Sequence, residues 1–204
     1  MNRFRLALLA VAVLVVGLAA TASFASPLRY QKQAVTGTTI RWDVISLDVK
    51  TSPPTFNPGG FASALAPDGT KITLTGSGTF GGPPKSVTGG GNWTTFDPSG
   101  AQSGSGTYKV VSLVSFIEAN LQAQTPPFTD KIADGSKRAN GTAVLRIAYS
   151  DGSQGVLTVG CHGPGSPPGI FEGIAATKGF KTYYSVQAPA PGVDANRTIY
   201  HVGV

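Results

Sequence analysis

Charges set inside apolar runs are the first places to look for chemistry. Arg146 sits in Val144-Leu145-Arg146-Ile147-Ala148, and Glu172 sits in Ile170-Phe171-Glu172-Gly173-Ile174. A charge turned into an apolar interior must pair or serve a ligand, because an unpaired buried charge is very costly. If both side chains point into a barrel, Glu172 is a base or acceptor and Arg146 an anion clamp. If they pair with each other or turn outward, they are structural. Arg41 and Asp43, on the face opposite Trp42, pose the same question. Aromatic faces are the second kind of surface, since they stack on sugar rings or line apolar cavities. Trp42, Trp93, Tyr108, Phe171, Tyr183 and Tyr184 either form such a surface or belong to the core. The expected ligand-binding set is Arg146, Glu172, Trp42 and Tyr108, with no residue assigned a catalytic role.

Other constellations fail on spacing or context. Gly76, Gly78 and Gly81 have the G-x-G-x-x-G spacing of a dinucleotide loop, and Asp97 follows at a suitable distance. The residues after Gly81 are Gly-Pro-Pro-Lys-Ser-Val-Thr-Gly-Gly-Gly, through which no helix can propagate. Without a helix N-terminus there is nothing to hold a pyrophosphate. GSGTF at Gly76 recurs as GSGTY at Gly104, with GGGNWTTF between them. These read as glycine-marked entries into strands whose aromatic covers the bare backbone. No G-x-S-x-G elbow occurs. Cys161, His162 and His201 with a carboxylate lack zinc-ligand spacing, and a Cys161/His201 nucleophilic pair would need the fold to bring them together. No metal or organic cofactor is expected.

These side chains must be carried by short strands. Gly, Pro, Asn and Asp punctuate the chain at short intervals, and the runs between them are rich in Thr, Val, Ile, Phe and Tyr. The pattern predicts an all-β fold, a single antiparallel β-barrel of about eight strands rich in hairpins and meanders. Ile40, Trp42 and Val44 share one parity and Ile45, Leu47 and Val49 the other, which predicts a bulge or a strong bend near Val44. Two short strands flank Asp68-Gly69, and Ser105 to Ile117 makes a long one. Asp151-Gly152 predicts a two-residue hairpin in which Ile147 faces Val156, Arg146 faces Leu157 and Val144 faces Val159. Both faces of that hairpin are largely apolar, so it belongs in the middle of the sheet. The connection from Asn120 to Gly141 is long for a compact β domain and is a place for function or disorder. Two further strands, about Gly169 to Ala175 and Lys178 to Val186, precede an edge strand in RTIYHV.

The first 25 residues carry Arg3 and Arg5, then an apolar run from Leu6 to about Ala20, then small residues. This is a secretory signal pattern, with cleavage expected after Ala25 or else Ala22, and the run is shorter than the roughly 20 residues of a membrane span. An uncleaved N-terminal anchor is the alternative. Residues 26–204 then form the barrel domain, exported to the periplasm or beyond, with no further membrane segment. The formal charge of +6 includes Arg3 and Arg5, and 6 − 2 leaves +4 on the mature chain. That excess is scattered and forms no basic stripe, which argues against nucleic acid as a partner. Cys161 is the sole cysteine, so no internal disulfide can form, and the thiol reads as a small buried apolar residue, with a reactive or intermolecular role as the alternative. Asn92, Asn140 and Asn196 begin N-x-Thr sequons, which matter only in a eukaryotic secretory pathway.

The segments DGTKITLTGSGTF, GGGNWTTF, SGTYKVVSLVSF, AVLRIAYSDGSQGVLTVGCHGPGSPPGIFEGIAATKGF and PGVDANRTIYHV resemble a family of uncharacterised secreted proteins. That resemblance implies no known activity. The glycine-headed meander and GIFEGIAATKGF also look like the barrel of allene oxide cyclase and dirigent proteins. The second resemblance implies a lined cavity that guides ring closure or radical coupling without metal or cofactor, and no catalytic residue of that group maps to a position here. Three functional expectations result. One is a secreted module that binds a small apolar or glycan ligand without turning it over. The others are a cofactor-free cyclase-like or dirigent-like barrel working through Glu172 and Arg146, and an extracellular structural or adhesion protein. Self-association is left open.

Overall fold

The computed structural model describes residues 37–82, 86–133, 137–184 and 196–204. The expected signal segment and residues 185–186 of the expected last hairpin lie outside them. The described residues form fourteen strands and no helix. These are β1 (Thr39–Asp48), β2 (Thr55–Pro58), β3 (Ala62–Leu65), β4 (Lys71–Leu74), β5 (Ser77–Gly81), β6 (Ser86–Val87) and β7 (Gly90–Phe96). They continue as β8 (Gln102–Leu121), β9 (Thr129–Asp130), β10 (Arg138–Tyr149), β11 (Gln154–Cys161), β12 (Gly173–Lys178), β13 (Lys181–Tyr183) and β14 (Arg197–Val202).

Six of the strands close a ring: β10, β14, β1, β5, β7 and β8, each antiparallel to the next, with β8 returning to β10. The fold is thus an antiparallel barrel with outer strands, and its fourteen strands exceed the eight expected. β11, β12 and β13 extend the sheet beyond β10, while β4 and β3 extend it beyond β7. β2 adds to β1, and β9 lies parallel to β2. RTIYHV, expected at an edge, is instead the central β14, between β1 and β10. Its Ile199, Tyr200 and His201 are all buried, which a half-solvated edge would not allow.

Period-two alternation turns Ile40, Trp42 and Val44 of β1 inward. Opposite them Phe80, Phe116 and Tyr200 meet across the ring, with centroids 5.0 Å apart for Phe80–Phe116 and for Phe116–Tyr200. The Tyr200 hydroxyl donates to the Val159 carbonyl (2.7 Å) and accepts from the Ala143 amide (2.9 Å), so the burial of its polar tip is compensated. Arg41, Asp43, Ile45 and Leu47 of β1 face outward. There Ile45 joins Phe56 and Ile199 in a second apolar cluster, with Leu47, Phe128 and Ile132 packed on it. This explains the parity change in β1 without a bulge. The β1–β14 register runs unbroken from Ile40 to Ile45, while the other neighbour changes from β5 to β2. The strand serves two cores, one on each face.

The glycines allow backbones to approach. Gly76 lies between β4 and β5, Gly78 and Gly81 lie in β5, and no helix follows. A side chain at Gly78 would meet Trp42 Nε1 at 2.8 Å, and one at Gly91 would run into the Thr75 carbonyl. Trp93 covers Gly104 and Gly106 of β8, as expected of an aromatic beside bare backbone. β8 itself runs well past the expected ends, through several bulges along β10. Part of the long connection expected from Asn120 to Gly141 is strand: the end of β8, all of β9 and the start of β10.

The β10–β11 hairpin differs from its expected register by one residue. Arg146 faces Val156, Leu145 faces Leu157, and Val144 faces Thr158. The cause is the loop. Gly152 N–H donates to the Tyr149 carbonyl (3.0 Å), and Tyr149 N–H donates to the Ser153 carbonyl (2.9 Å), so the loop comprises residues 150–152. Gly152 takes the left-handed conformation, with φ of 87°, as in a three-residue hairpin closed by a glycine bulge. The shift puts Leu145, Ile147, Leu157 and Val159 together on the core face. The hairpin is central, as its two apolar faces demand, since β10 also pairs with β8 and β14 and β11 pairs with β12. β12 begins only at Gly173, because Pro167 and Pro168 lie in a loop that carries the chain from β11 to it.

Candidate functional site

The four residues expected to bind ligand do not come together. Trp42 and Tyr108 are in the hydrophobic core, 0% and 2% exposed. The Tyr108 hydroxyl donates to the Thr75 carbonyl at 2.7 Å. Arg146 is exposed on β10, because alternation along the strand puts it on the face opposite the buried Leu145 and Ile147. Glu172 lies one residue before β12, half-buried at the edge of a cleft. Arg41 and Asp43 answer their own question as an ion pair, with guanidinium nitrogens 2.8 Å from both carboxylate oxygens. Cys161 belongs to the core cluster, while His201 faces outward and bonds Asp130, so they form no nucleophilic pair. Among the described residues no three metal-type side chains gather. Of the sequon asparagines only Asn92 is exposed; Asn140 and Asn196 are buried and hydrogen-bonded to Asn120 and to the Ser63 backbone.

The cleft lies on the outer side of the barrel wall. Its floor is the outward face of β1 and β14, supplied by Ile45, Leu47 and Ile199. Phe56 of β2 and Phe128 before β9 form one side, their rings stacked 4.7 Å apart at 17°. Gln122, His162, Gly163, Pro164, Glu172, Arg197 and Thr198 complete the lining. The space within this half-open cleft is about 140 Å³. The parallel pairing of Thr55 with Thr129 places the two phenyl-bearing segments side by side. Both segments follow a proline pair, Pro53-Pro54 and Pro126-Pro127, and that recurrence is the sequence signal that could have found the cleft.

Beside the cleft, charges are paired off. Arg41, His201 and Arg138 are register partners across β1, β14 and β10. His201 Nε2 lies 2.8 Å from Asp130 Oδ2, and both side chains are buried. Burial alone would raise the Asp130 carboxyl. The His201 bond and the Ile132 and Ala133 amides outweigh it and hold the group below the usual range. The Arg138 guanidinium stands over both Phe56 and Phe128, 5.1 and 5.3 Å from the ring centroids, which fixes the stacked pair by cation–π attraction.

Glu172 joins two elements. Its Oε2 accepts from the His162 amide (2.5 Å) and its Oε1 from the Thr198 amide (2.8 Å), so one carboxyl ties the exit of β11 to the start of β14. Burial pushes its pKa up to about 7, against the pull of those two amides, Arg197 and His162. His162 Nδ1 lies 2.7 Å from the Ile170 carbonyl, which can only accept, so Nδ1 carries a proton and donates. Burial likewise pushes the Cys161 thiol upward, so it is a poor nucleophile where it stands.

What the fold and the cleft define is a class: an all-β barrel protein with an apolar, polar-rimmed cleft on its outer wall. No family model, curated protein or solved structure matches the chain. The functional reading therefore rests on the geometry of the cleft.

Proposed function

We propose that this is an exported, non-catalytic module that binds a small apolar ligand in the cleft outside the barrel wall. The observation that carries the reading is a half-open cleft of about 140 Å³ walled by a stacked phenyl pair and three aliphatic side chains. Binding sites are typically concave and mostly apolar, with a few polar groups that set orientation. A dry cavity of about 150 Å³ holds a single benzene ring, so the ligand, or the part of it that enters, is one ring in size. A glycan has less to recommend it, since the walls are phenyl and aliphatic. Chemistry within the lumen, as in a cyclase-like barrel, has less support because Trp42, Phe80, Phe116 and Tyr200 pack on one another there. Export is supported by the signal pattern of the first 25 residues.

The test is an NMR titration of the mature chain with benzyl alcohol. Saturable shifts are expected at Ile45, Leu47 and Ile199, and Phe128→Ala should weaken binding about five-fold, the loss of one ring contact of about 1 kcal/mol. Absence of saturable shifts at those residues would refute the reading.

A further inference from the structure

We infer that the ligand is a small monocarboxylate whose anionic head is met by Arg197 at the mouth of the cleft. This rests on the reading of the cleft as a binding site. Arg197 is the first residue of β14, faces Ile45 across the ladder, and is exposed. Among the described residues its guanidinium makes no hydrogen bond or ion pair, although it acts through space on Glu172.

Most other polar groups of the lining are already used; Gln122 Oε1, itself buried, and His162 Nε2 are the exceptions. The two Glu172 oxygens accept backbone amides, and the Thr198 hydroxyl donates to the Gly160 carbonyl (2.5 Å). Gln122 Nε2 donates to the Ala139 carbonyl and to Cys161 Sγ, each at 3.3 Å. His162 has committed its Nδ1 proton to Ile170. The one charged side chain of the lining without a partner among the described residues is a planar fork of donors at the rim of an apolar slot. That fork matches a carboxylate in two parallel bonds and offers nothing comparable to a neutral head, while it repels an ammonium. An apolar tail would lie between Phe128 and Ile199, with its charge left at the solvent boundary where desolvation costs least. The titratable and charged groups facing this space are His162, Glu172 and Arg197. Glu172 would oppose an anion only when ionised, and burial favours its neutral form below about pH 7.

The experiment titrates the mature chain at pH 6 and low salt with benzoate, benzyl alcohol and benzylamine, which carry different charges on one ring. Benzoate should bind at least ten-fold tighter than benzyl alcohol, and benzylamine weakest. Arg197→Gln should abolish the benzoate advantage, weakening benzoate far more than benzyl alcohol, and Arg197→Lys, which keeps charge without the fork, should restore part of it. Because Arg197 is exposed, both variants should retain the wild-type circular dichroism. Equal affinity for benzoate and benzyl alcohol, or an advantage that survives in Arg197→Gln, overturns the carboxylate assignment and leaves the cleft standing. Binding of none of the three overturns both.

Discussion

Glu172 should make this protein more stable in mild acid than at neutral pH. Its carboxyl ordinarily titrates near 4.5, and burial in the fold raises it to about 7. The difference, 7 − 4.5 = 2.5, converts at about 1.4 kcal/mol per pH unit into roughly 3 kcal/mol. The native state holds this proton more tightly than the unfolded chain does. The contribution is therefore fully present below about pH 4.5 and is lost as the pH rises through 7. Both backbone bonds survive protonation, because the neutral acid still has an acceptor on each oxygen. Asp68, Asp97, Asp130 and Asp151 are held below the usual carboxylate range, so they lose stability only under stronger acid. Urea unfolding midpoints from pH 5 to pH 8 isolate Glu172. The wild type should lose up to about 3 kcal/mol over that interval. Glu172→Gln cannot ionise, so its profile should be flatter by the same amount. It should also be less stable than wild type at pH 5, since its amide turns a donor toward one of the two N–H groups. His162 and His201 are present in both proteins, so the difference between the profiles belongs to the carboxyl. Parallel profiles would refute the reasoning.

Two further expectations rest on packing. Gly91→Ala places a methyl carbon against the Thr75 carbonyl and within 2.8 Å of Gly76 Cα, both backbone atoms in a closed ring. It should cost more than about 3 kcal/mol in chemical denaturation. Gly152→Ala, with nothing within 4 Å of the new carbon and only a left-handed φ to bear, should cost about 1 kcal/mol. The Cys161 thiol is buried, pushed upward in pKa by that burial, and hydrogen-bonded to the Thr198 carbonyl at 3.3 Å. A thiol reagent should leave it unlabelled in native buffer and modify it stoichiometrically in denaturant; rapid native labelling would contradict the placement.

The all-β class and the barrel were legible because Gly, Pro and Asp punctuate Thr- and Val-rich runs throughout the chain. The hairpin at Asp68-Gly69 and the one at Asp151-Gly152 were found for the same reason. The register of the second was not, because the same dipeptide can close a loop of two or of three residues, and only the packing of Leu145 against Leu157 decides between them. That single residue of loop settles whether Arg146 faces Val156 or Leu157. Trp42 and Tyr108 could not be told from binding aromatics by type alone. The cleft was hidden for a different reason. Its walls come from Ile45, Phe56, Phe128, Glu172 and Ile199, which no local spacing relates and which only the ring closure assembles. Of the expected residues, Glu172 alone lies there, carried by a loop rather than by the strand first assigned to it.

The position of β14 also governs how the molecule can form. β1 waits for a partner about as far away as this chain permits, since Ile40 must find Val202, and β10 meets the same strand at Ala139 and Tyr200. Until that strand arrives, a stretch of edge on β1 and one on β10 stand open to any other chain. Sheets built on such distant pairings assemble in milliseconds to seconds rather than microseconds, and the intermediates that wait with open edges are the ones that aggregate. A polypeptide that cannot close its ring early stays unfolded longer, and here the arrival of β14 is what covers both edges at once.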